Sequence, residues 1–331
     1  MQTPAPGPLV VATRGPGRTS LSRRLWQYRW CYAFLVPSFV LLALFSVYPI
    51  LASIYFSLFD WNGVGVPHYF IALGNYVQVV HDGFFWAALG RALWWAAVTT
   101  PAELIVSLLI AIALNDRALR LGPVFRTFFF IPVVTTTAVM SIVMSFVFAA
   151  FGGPVNKVLL SLHLTRGAID FLGNPRAVMW TAMLIFVWKW LGQPMIYWLA
   201  GLQTIPGELY EAARVDGAGW LSQVRHLTVP LMAPFAVIIA LIVGVGNLQV
   251  FAFLQALTGG GPYFASETIE LYIFRWAFGT QASGVASGQP EFGYASAAGV
   301  FFGLLMMVAV GAQAVAVARL RPSRAGVGVA G

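Results

Sequence analysis

The sequence predicts an all-α membrane protein of six transmembrane helices with both ends in the cytoplasm, and three observations carry that expectation. Charged residues make up only 9% of the 331-residue chain and hydrophobic residues 59%. Soluble domains carry about 25% charged residues, so this chain lacks the polar surface to cover a water-soluble fold of its size. Six stretches approach or exceed the roughly 20 apolar residues that span a hydrocarbon core of about 30 Å. Lys and Arg, finally, gather on alternate connections between those stretches, the pattern that sets membrane topology.

The first span is placed at residues 31–56, behind an arm (residues 1–20) rich in Pro, Gly and Thr that reads as disordered. Apolar character begins at Leu25 and runs far beyond a signal-peptide core, so this stretch is expected to persist as the first helix. Cys31 is the single cysteine and forms neither an internal disulfide nor a zinc site. The remaining spans are placed at 88–114, 124–149, 177–202, 231–254 and 294–318. Pro37, Pro49, Pro101, Pro132, Pro194 and Pro234 fall within them. Such kinks are tolerated where neighbouring helices satisfy the freed carbonyls.

Orientation follows from the basic residues. Arg14, Arg18, Arg23, Arg24 and Arg29 precede the first span, Arg117, Arg120 and Arg126 follow the second, Arg214 and Arg225 follow the fourth, and Arg319, Arg321 and Arg324 follow the sixth. The opposite side holds Arg91, Lys157, Arg166, Arg176 and Arg275 over longer connections. The richer side is cytoplasmic.

The net charge of +8 does not indicate nucleic-acid binding, because the basic residues sit in short clusters beside apolar stretches and form no reading motif. His68, His81, His163 and His226 are scattered over different connections, and no hydrolase or metal motif appears, so a membrane enzyme is rejected. A Walker A loop needs Gly-Lys-Ser/Thr, whereas Lys157 follows Asn156 and Lys189 follows Trp188. This chain therefore has no P-loop ATPase chemistry and no cofactor of its own. A secondary transporter driven by an ion gradient is the competing reading. It requires a titratable or sodium-coordinating constellation at mid-membrane, where only Glu103 stands, and the internal repeats frequent in that class are absent. A membrane-embedded assembly protein is the third reading.

The connection after the fourth span is the most informative. Pro206 suits a first helical turn, and Glu208 favours the positive end of a helix dipole. Leu209, Ala212, Ala213 and Asp216 fall on one face, and Gly217 can take the left-handed conformation that ends a helix. Residues 220–226 restart a short amphipathic run, and Pro230 and Pro234 open the next span. These features predict a short helix over residues 208–216, outside the membrane, with two alanines that let a partner approach closely.

Glu211-Ala212-Ala213, Asp216-Gly217-Ala218 and Leu227-Thr228-Val229-Pro230 resemble, at matching spacing, the EAA loop of binding-protein-dependent ABC importer permeases. The family usually has Leu where Val229 stands. The resemblance implies a type I ABC importer permease (MetI-like) fold in which this loop is a cytoplasmic coupling helix docked on an ABC ATPase subunit dimer. Glu208, Glu211, Ala212, Ala213, Asp216, Gly217 and Ala218 form that ATPase-coupling segment: Glu211 would contact the ATPase, Ala212 and Ala213 would pack in its groove, and Gly217 would make the turn. It also implies a second homologous permease, favouring a heterodimer, an extracytoplasmic solute-binding protein, and ATP bound by the partner ATPase. Phe59-Asp60-Trp61-Asn62, Leu73-Gly74-Asn75-Tyr76, Phe125-Arg126-Thr127, Ile131-Pro132 and Leu257-Thr258-Gly259-Gly260-Gly261-Pro262 with Glu267-Thr268 are similar to the maltose and glycerol-phosphate branch, whose substrates are carbohydrates. The expected organisation is an arm (1–24), a permease domain (25–320) holding the coupling loop (204–230), and a cytoplasmic tail (321–331).

Asn247 and Gln249 are amides deep in an apolar span, costly unless they meet a partner helix or a water-filled cavity, and either role fits. In maltose-type permeases a substrate site lies on the fourth and fifth helices, and the resemblance puts Gly192, Met195, Val243 and Asn247 at corresponding positions. With Gln249 they form the expected substrate pathway. Lys189 is read as structural and Glu103 as an interhelical hydrogen-bonding group.

Overall fold

The computed structural model describes residues 28–115, 121–279 and 289–320. The arm over 1–24 and the tail over 321–331 lie outside the described residues. The chain divides into two units, Met1–Ala52 and Ser53–Gly331. In the first, the described residues from Arg29 onward belong to an apolar helix whose side chains are exposed through Leu51. That helix, α1, runs over Arg29–Phe56 and ends in the second unit.

Two short strands, β1 (Phe59–Asp60) and β2 (Tyr69–Phe70), pair antiparallel with Phe59 opposite Phe70. Then come α2 (Gly74–His81), α3 (Gly83–Leu114), α4 (Gly122–Val134), α5 (Thr137–Val147), α6 (Pro154–Ser161), α7 (Val178–Trp190) and α8 (Gly192–Leu202). The chain continues with α9 (Gly207–Val215), α10 (Trp220–Gly246), α11 (Phe251–Leu257), α12 (Ile269–Phe278) and α13 (Phe292–Leu320). The hairpin is tied to α2 by Asn75, whose Nδ2 donates to the carbonyls of Ser57 and Phe59 at 2.9 Å each.

Three described helices are long and apolar enough to cross a bilayer: α1, α3 and α10. A fourth span results if the bent pair α4–α5 counts as one. Three expected spans are interrupted. The third turns through 98° between α4 and α5, where Thr135 and Thr136 take extended backbone angles. The fourth is two helices meeting at Leu191, and the fifth ends at Gly246 before resuming as α11. Pro132 and Pro194 each remove one backbone donor near their break. Conversely, the amphipathic run after Gly219 is continuous with the fifth span and makes one helix of 27 residues.

Wide i→i+5 turns occur at Ala43–Val47 and Val224–Thr228, closed by Tyr48 N–H to Ala43 O and Val229 N–H to Val224 O. Each precedes a proline, Pro49 or Pro230. The carbonyl four residues before a proline has no backbone donor and clashes with its ring. Those carbonyls belong to Phe45 and His226, in the middle of each wide turn, so a local widening accommodates the proline without breaking the helix.

The packing centres on α3. Near its N-terminal end Phe85, Ala88 and Ala92 meet Tyr272 of α12 and Tyr294 of α13. In its middle Trp95 packs with Phe186 of α7 and Phe253 of α11. At its C-terminal end Ala111 and Leu114 meet Met195 and Trp198 of α8 and Met232 of α10. Two polar clusters lock the first of these layers. Asp82 caps α3 through Phe84 N–H at 2.7 Å and accepts from the hydroxyls of Tyr272 and, at 2.8 Å, Tyr294. Glu267, 1% exposed, pairs with Arg275 at 2.7 Å and lies 4.0 Å from Arg91.

Candidate functional site

Two places gather the residues singled out in the sequence. The first is the excursion between α8 and α10. Pro206 sits as the N-terminal cap of α9 with an extended ψ of 133°, one position ahead of the helix. Glu208 lies in the first turn and Arg214 in the last, each at the end its charge favours. The helix closes in a Schellman motif: Ala218 N–H reaches Ala213 O at 2.8 Å and Gly217 N–H reaches Arg214 O at 3.1 Å. That geometry needs a left-handed residue, and Gly217 takes φ +81°.

Glu208, Glu211, Ala212, Asp216 and Gly217 are exposed, while Tyr210, Ala213 and Ala218 are half-buried. Two side-chain bonds fasten the loop to the start of α10: Tyr210 Oη to Thr228 Oγ1 at 3.0 Å, and Gln223 Nε2 to Ala218 O at 2.8 Å. α9 walls a cleft of about 920 Å³, which Asn115, Arg126, Gln203 and Trp220 also line. α9 is thus a short exposed helix, held at its base and offering carboxylates and small residues outward.

The second place is a cavity of about 260 Å³ between α3, α5, α7, α8, α10 and α11. Val243, Asn247 and Gln249 line it, together with Glu103, Gln193 and Trp190. Asn247 is 4% exposed. Its Nδ2 lies 3.1 Å from Thr99 Oγ1, 3.1 Å from Thr100 Oγ1 and 3.3 Å from Glu103 Oε1. The amide thus faces both a partner helix and a cavity. Gly192 and Met195 stand off this wall. A Cβ on Gly192 would come within 2.4 Å of Phe129 O, so the glycine permits close approach of α8 to α4. Met195 is fully buried in the layer around Trp198.

Glu103 and the aromatic wall of Phe186, Trp190 and Phe253 join the cavity without having been singled out as pathway residues. A glutamate in the middle of an apolar span was the available signal for the first. Lys189 is off the wall: fully buried, it donates to the carbonyls of Pro132 and Thr135 at 3.1 Å each. Among the described residues no group of His, Cys, Asp or Glu could hold a metal ion.

The model of a protein family described as binding-protein-dependent transport system inner membrane component matches residues 103–322. That segment contains the cavity, α9 and α10. A lactose transport system permease protein, LacF, from Rhizobium radiobacter is 33% identical over 298 residues, covering 88% of this chain and 94% of the relative. Among solved structures, a chain of a bacterial ABC transporter involved in import of the acidic polysaccharide alginate superposes with a TM-score of 0.75 at 20% identity, covering 92% of this chain and all of that one. A chain of the alginate transporter in complex with its pentasaccharide-bound periplasmic protein gives a TM-score of 0.74 at 20% identity, over 89% and 96% of the two chains.

Proposed function

The chain belongs to the binding-protein-dependent transport system inner membrane components, and from that premise we propose that it is one permease half of an ATP-driven carbohydrate importer working by alternating access. It is a multi-pass membrane protein and a transport subunit, not an enzyme. The carbohydrate assignment rests on its likeness to a lactose permease.

Six spans are formed by α1, α3, α4–α5, α7–α8, α10 and α13, with residues 25–320 as the permease domain and the 1–24 arm and 321–331 tail in the cytoplasm. α9 is the coupling helix within the loop over 204–230, where Glu208, Glu211, Ala212, Ala213, Asp216, Gly217 and Ala218 meet one subunit of an ABC ATPase dimer that binds the ATP. A second, homologous permease completes the channel as a heterodimer. An extracytoplasmic solute-binding protein delivers sugar toward Val243, Asn247 and Gln249.

One observation carries this reading. α9 is an exposed helix closed by a glycine cap and joined to the cavity-lining α10 by Tyr210 and Gln223. Among the described residues its outward carboxylates have no side-chain partner, and an ATPase groove supplies one. The test is Glu211→Lys in the assembled complex. ATP-driven uptake is expected to collapse while membrane insertion stays normal and co-purification with the ATPase weakens. Unchanged uptake would overturn the coupling role.

A further inference from the structure

The break between α10 and α11 borders the cavity on both sides. Gly246, Asn247 and Gln249 line it before the break, and Ala252 and Phe253 after it. Backbone bonds persist part of the way: Asn247 N–H reaches Val243 O at 2.8 Å, and Gln249 N–H reaches Gly246 O at 3.0 Å. The next two donors, at Val250 and Phe251, find no backbone acceptor among the described residues. Val250 is the N-terminal cap of α11 and, being valine, has no side-chain oxygen to close the helix start. The missing acceptor comes from another helix. Glu270 of α12 takes the Phe251 N–H on Oε2 at 2.7 Å, and the Val250 N–H stands beside the same carboxyl. One turn further along α12, the Phe274 ring packs on that of Phe251 with centroids 5.0 Å apart. α12 is a firm base for these contacts, because Arg275 holds Glu267 at 2.7 Å and Tyr272 meets Asp82 of the α3 cap.

We infer that Glu270 is a positioning residue for transport: from α12 it fixes the break that sets Asn247 and Gln249 beside Ala252 and Phe253 on the cavity wall. The inference rests on the permease reading and brings into it a residue outside the cavity. A carboxyl oxygen that takes the first N–H groups of α11 replaces the absent cap. Without it, donors are stranded in a span where water does not supply an acceptor, a costly state. The chain relieves them by shifting or fraying α11, and the cavity residues on either side of the break lose their register. A site holds its guest only while such residues stay in place. Cargo is then lost, although the α9 end of α10 is untouched.

The test compares wild type with Glu270→Met, similar in length but without an acceptor oxygen, and with Glu270→Gln, which keeps one. Each is assembled in vesicles as the full complex with its binding protein. Uptake of lactose, maltose, cellobiose and glycerol 3-phosphate is measured beside ATP hydrolysis. Glu270→Met is expected to lower the cargo carried per ATP hydrolysed at least about fivefold, and Glu270→Gln to return it to within about twofold of wild type. A merely structural role would reduce the amount of folded complex and leave that ratio intact. Amide hydrogen exchange gives a second readout that needs no sugar. In wild type the Val250 and Phe251 amides should exchange as slowly as those inside α11. In Glu270→Met they should exchange at least about tenfold faster, with α3 and α13 unchanged. The wild-type exchange requires no variant, so it decides the case even if Glu270→Met fails to assemble. Fast exchange at both amides in wild type, or an unchanged ratio of cargo to ATP in Glu270→Met, would overturn the role of Glu270 and leave the permease reading standing. Uptake of none of these compounds by the wild-type complex would instead sink the permease reading and this inference with it.

Discussion

The ammonium nitrogen of Lys189 in α7 lies 3.1 Å from the carbonyl oxygen of Pro132, across the 98° bend between α4 and α5. Thr135 O stands at the same distance from it, and Thr135 Oγ1 itself returns to Pro132 O at 2.6 Å. The last four carbonyls of a helix have no intrahelical donor, and in a membrane interior water does not supply one. Lys189 meets that need from a neighbouring helix, and its positive charge suits the negative end of the α4 dipole.

Replacing Lys189 by Met therefore strips donors from two carbonyls at the bend. A loss of about 1–3 kcal/mol is expected, read as a lower melting temperature of the detergent-purified protein. Lys189→Gln, which keeps a donor, should recover part of it. Equal melting of the wild type and the Met variant would count against the capping role.

Sequence and structure part company at this bend for a physical reason. A lysine at mid-span signals an unusual environment, but its partners are 54 and 57 residues away and exist only because Thr135 and Thr136 leave the helix. No local pattern reports such a break beyond Pro132 itself. Asn247 was more legible, because an amide in an otherwise apolar span demands a partner, and Thr99, Thr100 and Glu103 supply it. Its alignment onto Thr99 rather than another α3 residue depends on helix rotation, which the apolar composition of α10 leaves undetermined. Gly192 came to the pathway through the family resemblance alone; the structure sets it off the cavity wall, in close approach to Phe129.

Adding a methyl group at that approach is a second test. Gly192→Ala would force apart α8 and α4, because the new carbon meets Phe129 O at 2.4 Å. Overpacking of this kind costs about 1–3 kcal/mol. Thermal unfolding should show the loss, and a neutral outcome would mean that the two helices slide apart freely.

Glu267 holds Arg275 and lies beside Arg91 in a nearly closed site. Glu267→Gln leaves cationic groups without their carboxylate. Breaking a buried pair from one side costs about 3–5 kcal/mol, and the partial exposure of Arg91 places the expectation at the lower end of that range. The unfolding midpoint in denaturant is the measurement, and a shift below about 1 kcal/mol would mean that the pair behaves as a surface contact.

Asp82 carries a pH dependence. Burial raises its pKa, but hydrogen bonds from the Tyr272 and Tyr294 hydroxyls and the backbone N–H groups of Phe84 and Phe85 outweigh this and hold it below its ordinary value. A depressed folded-state pKa gives stability that is present above the unfolded value of about 3.9 and fades as pH falls through the folded one. Melting temperature should thus be insensitive to this group between neutral pH and about pH 5 and fall in stronger acid. Asp82→Asn should flatten the acid limb. An identical acid profile in that variant would exclude Asp82 as the cause.

Gly217 offers a test at the loop. A side chain branched at Cβ opposes φ +81° at a cost of about 1–2 kcal/mol, so Gly217→Val should unseat the end of α9 and abolish most uptake without preventing insertion. Gly217→Asn, which tolerates the left-handed region, should retain most of it. Matching uptake by the Val variant would argue that the glycine cap is dispensable.

Because α10 is unbroken for 27 residues from Trp220 to Gly246, it amounts to a lever about 40 Å long at 1.5 Å per residue. α9 is fastened to it at Thr228, about a third of the way along, and the far end of α10 delivers Asn247 to the cavity. In the proposed coupling role, a tilt of α9 is carried along this one helix toward the cavity. The wide turn at Val224–Thr228 keeps the shaft intact where Pro230 would otherwise have cut it.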